Sequence, residues 1–162
     1  PPENQKPEET PQPPDTVKKG DRITKGKGIY KVASVKSNTV QYIKPSEKGL
    51  KNVEIPSAVK IGGKSYKVTA IAENAFKNDK IVQKAVIGKN VRTIGKMAFY
   101  GCKNLAKITV KTTSLTLKNV GKQAFAKGRK KITITVPKEK QKAYQTVFKK
   151  RGMEESGKVI GK

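Results

Sequence analysis

The stretch 91-VRTIGKMAFYGCKNLAKITV-110 contains a phrase, IGKMAF at 94–99, that returns as IAENAF at 71–76 and as VGKQAF at 120–125. Aligned on their phenylalanines, the three copies extend well beyond six letters. Phe76, Phe99 and Phe125 mark the period, and the second interval exceeds the first by three positions. The ninth position after each phenylalanine holds Ala85, Ile108 and Ile134, and the eleventh holds Ile87, Val110 and Val136. Five positions back stand Ile71, Ile94 and Val120, and one position back Ala75, Ala98 and Ala124. The register holds without gaps inside all three units. The three extra positions fall in Lys111–Asn119, a connection rich in threonine, serine and lysine, where an insertion is expected to sit on an exposed edge.

A fixed period of this length is the mark of a solenoid, whose units cannot bury their apolar face alone and stack to do so. Each unit predicts a short helical turn around the phenylalanine and a short strand about ten residues later. Such a turn is too short to stand by itself. It gains stability when the Phe and the preceding Ala stack on the same positions of neighbouring units, with Gly95 and Gly121 relieving crowding where the chain bends. The strands KAVI, KITV and TITV then form a parallel ladder with alternate residues inward. VEIP at 53–56 reads as the strand of an earlier, degenerate unit, with Val53 and Ile55 inward.

Outward from the repeats, the pattern changes in both directions. Ile29–Val35 and Thr39–Ile43 alternate around a Ser37-Asn38 turn, and Val59–Ile61 and Tyr66–Val68 flank Gly62-Gly63, so two hairpins are expected. Past Val136, Pro137 suits a first helical turn, and Tyr144, Val147 and Phe148 share one helical face. Lys149, Lys150 and Arg151 suit the end of that helix and Gly152 its termination. Solenoids need closed ends, so the helix is expected to cap one end and the hairpins the other. The opening segment 1–16, PPENQKPEETPQPPDT, carries six of the nine prolines and four of the twelve acids. It has no apolar periodicity and reads as an extended linker.

Composition removes several function classes. The chain has 162 residues, 34% of them apolar, with one cysteine and no histidine. Ser–His and Cys–His nucleophile pairs are therefore impossible, and no metal-ligand cluster suggests itself. The carboxylates outside segment 1–16 are scattered, save for Glu154 and Glu155. GKGIYK and GGKSYK lack the phosphate-loop spacing. The sequence predicts no catalytic, cofactor or metal site, and Cys102 reads as a small buried hydrophobe rather than a reactive thiol. No apolar run is long enough to span a membrane as a helix.

The net charge of +25 implies attraction to polyanions, although lysines spread along the chain also serve as plain surface solvation. Only Arg22, Arg92, Arg129 and Arg151 are arginines, which disfavours base or phosphate readout by planar forks. KGRKK at 127–131 and KKR at 149–151 are basic clusters. The tyrosines Tyr30, Tyr42, Tyr66, Tyr100 and Tyr144 are the remaining stacking candidates, and no nucleic-acid-binding motif accompanies them.

The repeat resembles the BspA-type leucine-rich repeat of bacterial surface proteins, whose phrase IG-x-x-AF-x-x-C-x-x-L-x-x-I-x-I-P is matched by IGKMAFYGCKNLAKITV. Cys102 and Leu105 fall at the family's Cys and Leu positions. In the other units Asp79 and Gly128 stand for the cysteine, Val82 and Lys131 for the leucine. The closing proline is present as Pro56 and Pro137, while Gly88 and Lys111 stand elsewhere. The resemblance covers roughly 50–150. It implies a secreted protein displayed at the surface of a Gram-positive gut bacterium, attached through parts outside this chain, with adhesion to host proteins or other bacteria among the activities of relatives.

The fold class expected is thus an α/β solenoid: a short leucine-rich-repeat-like right-handed superhelix of parallel strands and short helical turns. Four regions are expected: the linker 1–16, a hairpin region and cap 17–68, three repeats 69–136, and a capping helix with tail 137–162. If the ninth and eleventh positions face inward, the eighth and tenth face outward, giving a candidate binding face of Asn52, Glu54, Lys84, Val86, Lys107, Thr109, Thr133 and Thr135. It suits an extended partner, anionic or hydroxyl-rich: a host extracellular or bacterial surface protein, or an anionic wall polymer. The competing readings are a structural spacer within a larger surface protein and a nucleic-acid-binding protein.

Overall fold

A computed structural model of the chain describes residues 17–162; the linker expected at 1–16 lies outside the described residues. Two sheets carry the fold. The first is built from β1 (Arg22–Lys25), β2 (Gly28–Ser34), β3 (Thr39–Pro45), β5 (Ala58–Ile61) and β6 (Lys64–Ile71), ordered β1-β2-β3-β6-β5, with the two-residue β8 (Thr93–Ile94) paired to β6. The second runs β11-β10-β9-β7-β4, from β4 (Asn52–Ile55), β7 (Lys84–Ile87), β9 (Lys107–Val110), β10 (Thr133–Val136) and β11 (Lys158–Gly161). Every pairing in this second sheet is parallel. One α-helix, α1 (Gln141–Lys150), follows a 3-10 turn at Lys138–Lys140.

Both expected hairpins form. Asn38 turns β2 into β3 with a φ of 49°, and Gly62 and Gly63 turn β5 into β6 with φ of 54° and 76°. The left-handed region costs glycine nothing and asparagine little, so these are the residues that permit tight reversals. β1, joined to β2 through Gly26, was not foreseen from sequence. VEIP takes the predicted place: Val53 pairs with Ala85 and Ile55 with Ile87, both β4 residues buried.

The core is a column. Phe76, Phe99 and Phe125 stack face to face, with ring centroids 5.0 Å and 5.6 Å apart and planes 6° from parallel. Tyr42 continues the column at one end, 5.6 Å from Phe76, and Tyr30 meets Tyr42 edge-on. At the other end Phe148 of α1 meets Phe125 edge-on at 5.0 Å, with Tyr144 against it. Aromatic pairs contribute about 0.5–1.5 kcal/mol each beyond the area they bury. Beside the column, Ile71, Ile94 and Val120 line up through backbone pairing, and Ala75, Ala98 and Ala124 are all buried.

The expected helical turns around the phenylalanines are not helical. Two positions before each Phe, Asn74, Met97 and Gln123 have φ of 61°, 55° and 57°; two positions after, Asn78, Gly101 and Lys127 have φ of 60°, 73° and 56°. The amides divide their work accordingly. One alternate set closes tight turns within the unit: Ala98 to Gly95, Tyr100 to Met97, Cys102 to Phe99. The other set donates to the next unit: Met97 to Lys122, Phe99 to Ala124, Gly101 to Ala126. In a helix, the amides past the first turn would bond four residues back within the unit instead of crossing to the next one. The left-handed positions rotate every second N–H out of the turn and into a ladder between units. The ladder demands close approach: a Cβ on Gly95 would strike the backbone of Ala72 and Glu73, and one on Gly121 the backbone of Gly95 and Lys96.

Two further expectations change. In the third unit the leucine position is filled by Ile132, which is buried, and not by Lys131, which is exposed. The buried position moves from the sixth residue after the phenylalanine to the seventh, while Ile134 keeps the ninth. The Lys111–Asn119 connection is also no free edge, since Thr112 and Leu115 are buried within it. The Thr112 hydroxyl donates to the Val91 carbonyl at 2.6 Å, and the Tyr144 hydroxyl donates to the Thr112 carbonyl at 2.7 Å while accepting from the Leu115 amide. Arg151 completes the seam, with Nε and Nη2 donating at 2.7 Å to the carbonyls of Val120 and Leu117. The chain after α1, expected as a tail, instead adds β11 beside β10.

Candidate binding face

The second sheet places all eight sequence-predicted face residues on one surface. Its strands are short, and in β4 and β9 they alternate exposed and buried without exception. Alternation sends successive side chains to opposite sides of a sheet, and parallel registry stacks like positions across strands. One row therefore runs Asn52, Lys84, Lys107, Thr133, and a second Glu54, Val86, Thr109, Thr135. β11 lengthens both rows with residues that sequence reasoning missed: Lys158 beside Thr133 and Ile160 beside Thr135. Ile160 is 40% exposed, an unusual place for a large aliphatic side chain. The signal was present in sequence as Val159-Ile160 bracketed by Gly157 and Gly161, but so short a run carries little periodicity.

The charge is uneven across the face. Lys84 and Lys107 share a hollow of about 200 Å³ with Arg129, Gln83 and Asn104. The KGRKK cluster thus adjoins the strand face through its arginine. KKR at 149–151 is different: Arg151 is committed to the carbonyls of Leu117 and Val120, so only Lys149 and Lys150 remain exposed there. Of the five tyrosines, Tyr30, Tyr42, Tyr66 and Tyr144 are buried, which leaves Tyr100 alone partly open to a stacking partner.

Cys102 is buried, its Sγ donates to the Phe76 carbonyl at 3.0 Å, and burial, with the Asp79 charge adding, pushes the thiol up to about 12. A thiol so held is not the thiolate that nucleophilic catalysis or metal binding uses. Among the described residues no three His, Cys, Asp or Glu side chains gather as a metal site. The carboxylate of Asp79 is engaged by the amides of Ile81 and Val82, inside an open cleft of about 1030 Å³ walled by the 44–49 and 77–81 loops. Among the described residues no helix is long and apolar enough to cross a membrane.

A family model described as BspA type leucine rich repeat region (6 copies) matches residues 69–156. A leucine rich cell surface protein from Faecalibacterium prausnitzii has a similar structure, with a TM-score of 0.57 and 23% identity over 72% of this chain and 37% of that one. A leucine-rich repeat protein from Bacteroides capillosus gives a TM-score of 0.52 and 17% identity over 86% of this chain and 99% of that one. A third, from Bacteroides ovatus, gives 0.53 and 22% over 86% of this chain and 37% of that one. This chain therefore spans little more than a third of the first and third of these proteins. No curated protein matches it.

Proposed function

The chain belongs to the BspA-type leucine-rich repeat family, and on that premise we propose that it is a non-catalytic binding module displayed at a bacterial surface. The strand face of the second sheet is the binding surface. Its partner is a surface or extracellular protein, or an anionic glycopolymer, and adhesion is the outcome. In this reading the coil is right-handed, α1 with β11 caps one end and the two hairpins cap the other.

One observation carries the reading. Ten outward side chains form two unbroken rows across five parallel strands, and the Lys84–Lys107 pair among them shares a hollow with Arg129. A sheet face needs polar residues for solubility, but solubility does not require cations of adjoining strands to share one hollow with the arginine of a distant loop. Electrostatic complementarity of this kind sets encounter rate and orientation.

The test is binding of the whole chain to wall polymer, matrix protein and DNA across a salt series. Binding to one class that persists above physiological salt supports the module. Loss of all binding at moderate salt, with no preference among the three, reduces it to plain charge.

A further inference from the structure

The strand face does not end flatly at β4. There it runs into a cleft of about 660 Å³ between β4, the β1–β2 turn and β5. The floor and walls are apolar, from Tyr30, Leu50, Val53, Pro56, Val59 and Val86. Leu50, Pro56, Val59 and Val86 are only partly buried, so the cleft leaves aliphatic surface open to solvent. Its rim carries three exposed lysines, Lys25, Lys27 and Lys60, against the single carboxylate of Glu54.

β4 is also the end strand of its sheet. All its pairing is to β7, so its other edge presents backbone amides and carbonyls without a strand among the described residues. An open edge beside an apolar cleft is the arrangement that captures an extended chain: main-chain bonds give affinity, and alternate side chains enter the pocket. The aromatic groups argue against a sugar. Tyr30 and Tyr42 are 3% and 1% exposed, their rings spent on the core column, so no aromatic plane is offered to a pyranose. Both rings pack directly against Gly28, where a Cβ would meet Tyr30 at 2.8 Å and Tyr42 at 2.9 Å.

We propose that this cleft binds an extended acidic peptide segment of a partner protein as an added strand along β4, with alternate aliphatic side chains in the cleft and carboxylates facing Lys25, Lys27 and Lys60. The proposal rests on the strand-face reading, whose protein partner it specifies, and it adds a site outside the rows. With so short an edge to pair, affinity is modest and depends on the charged rim.

The experiment uses the full chain and a labelled short peptide of alternating glutamate and valine, followed by fluorescence anisotropy. The peptide is expected to bind, and N-methylation of its alternate amides on the pairing edge to abolish binding. Replacing Lys25, Lys27 and Lys60 together by Glu is expected to weaken binding about tenfold or more, and Val59→Arg to block it. Because Val59 touches the core, the exposed-lysine variant keeps the test independent of folding. Absence of binding to the wild-type chain, equal binding of the N-methylated peptide, or a triple variant no weaker than Lys149→Glu/Lys150→Glu overturns the cleft. If Lys84→Glu/Lys107→Glu weakens the peptide and the cleft triple does not, the strand face stands and the cleft falls. A polyol-phosphate polymer is the second probe. If it binds through the three lysines while the peptide does not bind at all, the occupant is a glycopolymer and the peptide assignment is wrong.

Discussion

The rings of Phe76 and Phe99 lie 5.0 Å apart and 6° from parallel, although a whole repeat of chain separates them. One unit of sequence thus advances the backbone by one ring thickness plus a small offset. The strands that follow each ring then have no choice but to fall side by side. Stacking in the core and registry on the face are the same fact seen from two sides.

The centre of the column is its most costly place to break. Phe99→Ala removes a ring stacked on both sides and 1% exposed. A loss of about 3–5 kcal/mol is expected in urea unfolding, a large share of the stability of a domain this size. Phe148→Ala, whose ring has no face-to-face partner at the end of the column, is expected to cost less. Equal or reversed costs would deny the column its central role.

Backbone approach between units gives a second test. Gly95→Ala places a methyl group against the backbone of Ala72 and Glu73, which cannot rotate away as a side chain can. Destabilisation of about 2 kcal/mol or more is expected. Ala substitution at Gly20, where no atom lies within 4 Å of the added Cβ, lacks the steric term and retains only the strain of its φ of 94°.

The left-handed turns predict a gain. Lys127 is exposed and sits at φ 56° in the position that Asn78 and Gly101 hold in the other units. A left-handed conformation costs an ordinary L-residue about 1–2 kcal/mol and glycine nothing, while glycine loses about 0.5–1 kcal/mol in chain entropy. Lys127→Gly is therefore expected to be stabilising by a few tenths to about 1 kcal/mol, read as a higher urea midpoint. Lys127→Asn should act in the same direction.

Alkaline pH should unfold the protein through its buried acids. Burial pushes Cys102 from 9.0 up to about 12, and burial with the Glu54 charge pushes Tyr30 from 10.0 up to about 12. A group whose folded pKa is raised keeps its proton when the unfolded chain has released it. Its contribution is complete below the unfolded pKa and is lost as pH climbs from there towards the folded value. Stability is expected to fall from about pH 9 upward. Cys102→Ala isolates the thiol: its pH profile should be flatter than the wild type's between about pH 9 and 10, measured by denaturant midpoint at fixed ionic strength. Parallel profiles would contradict the assignment.

Much of this fold was legible in the sequence, for a physical reason. Stacked units require the same residue at the same offset, so Phe76, Phe99 and Phe125, the inward strand pairs and the face rows all announce themselves by repetition. What repetition does not reach stayed hidden. Tyr42 and Phe148 join the column without the surrounding phrase, because end units answer to solvent on one side. Ile132 in place of Lys131 was missed because the buried position moves by one residue while the strand register around it, with Ile134 at the ninth position, does not. The turns were read as helical, and the repeated phrase alone does not reveal that Met97 is left-handed. The face was found from period. The cleft at its end was not, since 25–30, 50–60 and Val86 come together only in three dimensions.

Charge reversal on the face tests the functional account most directly. Lys84→Glu/Lys107→Glu and Lys149→Glu/Lys150→Glu change net charge equally, one pair within the rows and the other on α1. With a partner identified by the salt series, the face pair is expected to weaken binding by about tenfold or more and the helix pair by less than about twofold at physiological salt. Equal losses from the two variants would show that the partner feels only total charge, and the strand face would have no claim to being the site.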